Sequence, residues 1–155
     1  MELVTDHLRL EAFPASDTAS RGNRFTLAFE LDLPPKMHVY GPGVEGYKPV
    51  AIEIGGPPSL LAHETDFPEP KSLFLEAIRE TVPVYEGRVR ILKDVTVSPR
   101  FQGESISIPV TFAYQACDDR ICYTPSRVGF ALEVDLVPHD RERVPETLRR
   151  KAPSR

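Results

Sequence analysis

Cysteine is scarce: the chain of 155 residues carries two, too few for a small fold stapled by a disulfide framework. A basic excess is also missing. Lys and Arg number 19 against 23 Asp and Glu, a net charge of −4, which argues against electrostatic capture of nucleic acid or of an anionic membrane surface. No apolar run approaches the roughly 20 residues of a membrane-spanning helix. The first residues, Met1 to His7, hold two acids and no apolar stretch of the signal-peptide type. Taken alone, that start points to a cytosolic protein, or to an exported one whose leader is absent or trimmed. Glycine is sparse, nine residues against 16 prolines, and such a proline load leaves little room for long helices. Internal repeats, low-complexity tracts and a G-x-S-x-G nucleophile elbow are all missing.

What is present is alternation. Hydrophobic residues make up 41% and charged residues 27%, a globular balance. Phe25, Leu27, Phe29 and Leu31 share one strand face, and Val50, Ile52 and Ile54 repeat the pattern. Val89, Ile91, Val95 and Val97 follow, then Ile106 to Tyr114 and Val128 to Leu136 at every second position. Leu8 and Leu10 suggest a further strand. Each segment reads as a half-buried strand. Only Ser72–Glu80 has a helical composition. Seven or so short strands without alternating helices predict an all-β, antiparallel β-sandwich over residues 1–137. Pro109 inside the longest strand predicts an edge or a bulge there. Residues 138–155 lose the alternation and carry six Lys and Arg against three Asp and Glu, as expected of a charged tail or linker.

Two motifs are declined. Gly41-Pro42-Gly43-Val44-Glu45-Gly46 matches G-x-G-x-x-G, but a strand follows it rather than the helix N-terminus that a pyrophosphate needs. The four histidines, His7, His38, His63 and His139, show no paired spacing. Cys117, Cys122 and His38 could form a soft metal site, but nothing supplies a recognisable further ligand. No cofactor and no metal are assigned.

The informative segment runs from Tyr114 to Pro125 (YQACDDRICYTP). A strand enters, four residues separate Cys117 from Cys122, and a second strand begins near Val128. Residues flanking a four-residue hairpin loop face each other at about 4.5 Å between Cα atoms, so the two cysteines can bond with little rearrangement. Inward positions are even on both strands, whereas pairing 117 with 122 joins odd to even. A one-residue bulge near Thr124-Pro125-Ser126 is therefore expected. Two readings remain open. As a structural staple, the bond closes only about six residues, worth roughly 2 kcal/mol, and would serve a non-catalytic binding or accessory sandwich. As a redox pair, it accounts better for a local bond at one end of a sandwich. Asp118 and Asp119 disfavour a nearby thiolate and Arg120 favours one, so the site is suited to accept attack from an activated thiol and pass electrons on.

The cysteine hairpin, Tyr114-Gln115-Ala116-Cys117 through Cys122-Tyr123-Thr124-Pro125, resembles the active-site hairpin of the DsbD N-terminal domain family of thiol:disulfide interchange proteins. Met37 to Tyr40, Thr65 to Pro68 and Thr81 to Tyr85 extend the resemblance over about residues 5–137. The family implies an immunoglobulin-like sandwich in the periplasm or another extracytoplasmic compartment, with protein-disulfide reductase activity and no cofactor. A thioredoxin-like donor would reduce its disulfide, and oxidised periplasmic thiol proteins would then be reduced. By that resemblance Cys122 forms the mixed disulfide and Cys117 resolves it. Phe67 falls where a cap-loop aromatic shields the disulfide, Tyr40 and His38 lie beneath the hairpin, and Asp118, Asp119 and Tyr123 surround it. The chain departs from the best-known member in having four residues and no glycine between its cysteines, where that member has five. Pro68 and Pro70 also stiffen the cap loop.

Overall fold

The computed structural model describes residues 1–137; the tail expected over 138–155 lies outside the described residues. Alternating burial drives the architecture. In the strand Arg24–Asp32 (β4), Phe25, Leu27, Phe29 and Leu31 are buried, and the same period of two recurs in Arg88–Val97 (β10), Ser105–Tyr114 (β11) and Ser126–Val137 (β13). The other strands are Glu2–Val4 (β1), Arg9–Pro14 (β2), Thr18–Ser20 (β3), His38–Tyr40 (β5), Ala51–Ile54 (β6), Leu60–Asp66 (β7), Lys71–Leu75 (β8), Glu80–Tyr85 (β9) and Ala116–Cys117 (β12). They form a five-stranded sheet in the order β1-β2-β4-β10-β7 and a four-stranded sheet in the order β3-β13-β11-β6. A third sheet has the order β12-β5-β9-β8. All pairings are antiparallel except β3 with β13. The first two sheets enclose one hydrophobic core around Leu10, Leu27, Phe29, Ile91, Ile108 and Phe112. The result is an all-β, immunoglobulin-like sandwich, and among the described residues no helix occurs.

Three local expectations meet the structure differently. The helix expected over Ser72–Glu80 is instead the end of β8, a turn and the start of β9. Leu73 and Leu75 alternate with Ser72 and Phe74, and the chain reverses where the amides of Ile78 and Arg79 bond the carbonyl of Leu75. A segment of little more than two turns pairs its backbone more fully in a ladder than in so short a helix. Pro109 sits neither at an edge nor at a bulge, because β11 lies between β13 and β6. Its carbonyl accepts the Gly55 amide just beyond β6. Its missing N–H therefore faces the same side, and no β11–β13 bond is lost. The bulge expected near Thr124-Pro125 is present. Tyr114 pairs with Ser126, whereas Cys117 bridges Cys122, so the second strand holds one extra residue between the two pairings.

Candidate functional site

The site begins where one strand changes sheets. After Tyr114 the chain leaves β11, and two residues later it pairs with β5 as β12, with Ala116 opposite Val39 and Cys117 opposite His38. Gln115 fixes the crossing. Its side-chain amide donates to the Tyr123 carbonyl, and its side-chain oxygen accepts the Lys48 amide. Alternation then sorts the side chains of the third sheet. Val39, Tyr85 and Ala116 point into the main core, while Tyr40, Val82, Val84 and Cys117 form a second cluster on the other face. Val44, Tyr47, Leu73, Ile78 and Cys122 pack against that second cluster. Period two thus turns Cys117 away from the main core and into a small apolar pocket of its own.

Cys117 and Cys122 are joined as a disulfide with Cα atoms 3.9 Å apart. Their exposure differs. Cys117 is only 1% exposed, whereas Cys122 is partly exposed on the loop side. The Tyr40 hydroxyl lies 3.1 Å from the Cys117 sulfur and 3.3 Å from that of Cys122. Neither sulfur carries a proton in the disulfide, so the hydroxyl is the donor. Burial first, then the neighbouring Tyr47 and Glu80, push the Tyr40 phenol up to about 12. It therefore keeps its proton at neutral pH. Tyr47 stacks on Tyr40 with ring centroids 4.7 Å apart, and its hydroxyl donates to Glu80.

The loop between the cysteines is organised by Asp118. Its carboxylate accepts the amides of Arg120 and Ile121 at 2.8 and 2.9 Å and the Tyr123 hydroxyl at 2.6 Å. These bonds, the Tyr123 one foremost, hold its carboxyl down at about 2. An Asx turn of this kind fixes the loop without glycine. Asp119 is exposed and pairs with Lys36 at 3.8 Å. Tyr123 also packs against the His7 ring, with centroids 4.7 Å apart. The sequence alone gives no sign of that contact. His38 is buried and places Nε2 3.1 Å from a Glu86 oxygen. The Lys71 ammonium beside Glu86 holds its carboxyl below the usual carboxylate range.

Most of the expected residues come together: Cys117, Cys122, Tyr40, His38, Asp118, Asp119 and Tyr123 form one neighbourhood. Phe67 does not join the cluster around the disulfide. It follows β7 and packs against the main core. The loop after it is pinned to the inner face of the third sheet, where the Pro68 carbonyl accepts the Tyr85 hydroxyl and Pro70 abuts Gly41. The second cluster, which includes Cys117, is covered instead by Val44 and Tyr47, by Leu73 of β8 and by Ile78. Tyr47, Glu80 and Glu86 escape sequence reasoning, because only folding brings them to the hairpin. Beside the hairpin, an open groove of about 360 Å³ runs between Phe74 and the Asp118-Asp119 loop, with Lys36, His38 and Glu86 also lining it. Phe74 and Ile121 are 51% and 53% exposed. Among the described residues no cluster of His, Cys, Asp and Glu fits a metal ion.

Residues 9–133 match the model of the family described as thiol:disulfide interchange protein DsbD, N-terminal. No curated protein sequence matches the chain. Among solved structures, the N-terminal periplasmic domain of ScsB from Proteus mirabilis is similar, with a TM-score of 0.61 and 15% identity. That likeness covers 97% of this chain and 54% of the other, so the chain spans little more than half of it. The yeast GGA1 GAE domain shares 10% identity over 84% of this chain and 95% of its own, with a TM-score of 0.45. The ScsB likeness is one of fold.

Proposed function

From the chain's membership of the DsbD N-terminal family of thiol:disulfide interchange domains, we propose that it relays electrons from a thioredoxin-like donor to oxidised thiol proteins in an extracytoplasmic compartment, through Cys117 and Cys122. The observation that carries this reading is the unequal access to the two sulfurs: Cys122 is partly exposed on the hairpin, and Cys117 is sealed beneath it. Thiol–disulfide exchange requires in-line approach of a thiolate to one sulfur while the other leaves. Here the approach is to Cys122. The donor thiolate bonds to Cys122, the S–S bond breaks, and its electron pair departs on Cys117. A second donor thiol then attacks the mixed disulfide and frees Cys122, leaving the donor oxidised and this domain reduced. Running the same steps in reverse on an oxidised partner delivers the two electrons.

The Tyr40 hydroxyl supports the leaving step, since a donor 3.1 Å from Cys117 stabilises the sulfur as it becomes anionic. The Asp118 turn keeps the loop in place while the bond opens. Exchange with a reduced thioredoxin-like protein tests the reading: Cys122→Ser abolishes transfer while leaving thermal unfolding of the reduced protein nearly unchanged. Retained transfer by that variant defeats the assignment. Slow exchange with such donors, together with a reduction potential below about −300 mV, makes the disulfide a structural staple instead.

A further inference from the structure

One row of side chains at the site has no part in the steps above. Cys117 faces His38 directly across the β12–β5 ladder, and directly opposed residues in a sheet project to the same face. From His38 the row continues through Nε2 to Glu86, 3.1 Å away, and from Glu86 to the Lys71 ammonium. The imidazole is buried, 6% exposed, and among the described residues its Nδ1 has no hydrogen-bond partner. A hydrogen bond from Nε2–H to an ionised carboxylate leaves the Nδ1 lone pair free to accept. Buried acceptors are normally satisfied, and an exception calls for an explanation. The oxidised sulfurs have no proton to offer. Reduction creates one across the ladder from His38, the S–H of Cys117.

Resting on the exchange reading above, we propose that His38, oriented by Glu86, is the proton acceptor for the Cys117 thiol in the reduced domain. When the S–S bond breaks, its electron pair goes to the Cys117 sulfur, which takes up one proton from solvent and donates the new S–H to Nδ1. On the return step Nδ1 takes that proton, and the Cys117 thiolate attacks the Cys122 sulfur of the mixed disulfide. The partner's thiolate leaves and receives the proton from the imidazolium, so protons and electrons balance. A thiol, an imidazole and a carboxylate in that order form the arrangement by which a buried cysteine is activated. Tyr40 holds its own proton and serves as a donor to the sulfurs, which leaves His38 as the base. The other charges facing His38 oppose one another. Asp118 of the hairpin and Glu76 of the β8–β9 turn disfavour a thiolate, and Lys36 at the groove mouth, itself paired with Asp119, favours one.

The test is a pH titration of thiolate absorbance at 240 nm in reduced protein carrying Cys122→Ser, where Cys117 is the sole thiol. Adding His38→Gln shifts the midpoint by about one pH unit, because the thiol loses the base that accepts its proton. Adding Glu86→Gln moves it in the same direction by less. A midpoint unchanged by both substitutions overturns the proposal. A second readout needs no substitution. In wild-type protein with ¹⁵N-labelled histidine, the Nδ1 resonance of His38 moves toward the protonated value on reduction, and the Nε2 resonance keeps its protonated position. Identical Nδ1 resonances in the oxidised and reduced protein overturn it whatever the variants do. Neither measurement involves a redox partner, so each outcome is separable from the Cys122→Ser transfer assay.

Discussion

At the scale of single residues, much of the site's behaviour rests on Asp118. The sequence shows an acid after the first cysteine and predicts only that it disfavours a thiolate. The fold gives it a second task, because its carboxylate closes the loop through the amides of Arg120 and Ile121 and the Tyr123 hydroxyl. With the carboxyl at about 2 when folded, against its ordinary 3.8, the closure is fully present above about pH 4 and is lost as pH falls through about 2. The Ile121 amide nitrogen shift in an NMR pH titration should accordingly show a midpoint near 2, and a midpoint near 4 removes this turn from the account. The pairing of Cys117 with Cys122 was legible from spacing, and the nearness of Tyr40 to them from the resemblance alone. Phe67 packs against the main core, and its neighbours in sequence do not reveal which side of the third sheet its loop is fastened to. Tyr47 and Glu86 were invisible, since their nearness to the hairpin depends on strand pairings that bring positions 47, 86 and 117 together.

At the scale of elements, long alternating strands were readable and short ones were not. β4, β10, β11 and β13 stand out because each buries three or more residues at a period of two. β1, β3 and β12 have two or three residues each, too few for a period to show. Between those extremes lies the β8–β9 hairpin, where SLFLEAIRE suits a helix by composition while the partners of Ser72, Leu73 and Phe74 lie outside the segment. The turn joining the two strands holds Arg79 at a φ of 56°, in the left-handed region that costs a side-chain-bearing residue roughly 1–2 kcal/mol. Arg79→Gly removes that strain at some cost in unfolded-chain entropy, so a net gain of about 0.5–1 kcal/mol is expected in urea unfolding. A loss of stability would mean that the Arg79 side chain contributes more than its backbone strains. Parity arithmetic, by contrast, located the bulge at Thr124-Pro125 from residue numbers alone, because facing constraints at both ends of a ladder leave one residue unaccounted for.

At the scale of the molecule, two apolar clusters lie on opposite faces of the third sheet. The larger contains Phe29, Phe112 and most of the buried side chains, and the smaller contains Cys117. Opening the disulfide releases a constraint on about six residues, worth roughly 2 kcal/mol, and leaves the larger cluster untouched. Phe29→Ala, by comparison, hollows the main core and should cost about 3–5 kcal/mol. Chemical denaturation of oxidised, reduced and Phe29→Ala protein should rank them in that order. A reduced form less stable than the Phe29→Ala variant would show that the cysteines hold the sandwich together. Val39, Tyr85 and Ala116 anchor the sheet from beneath while Tyr40, Val84 and Cys117 decorate its top. The working surface is therefore a veneer on a chassis. Selection or an engineer could re-tune the veneer, swapping Tyr47, Leu73 or His38 to shift reactivity, while the foundation below carries on unaltered.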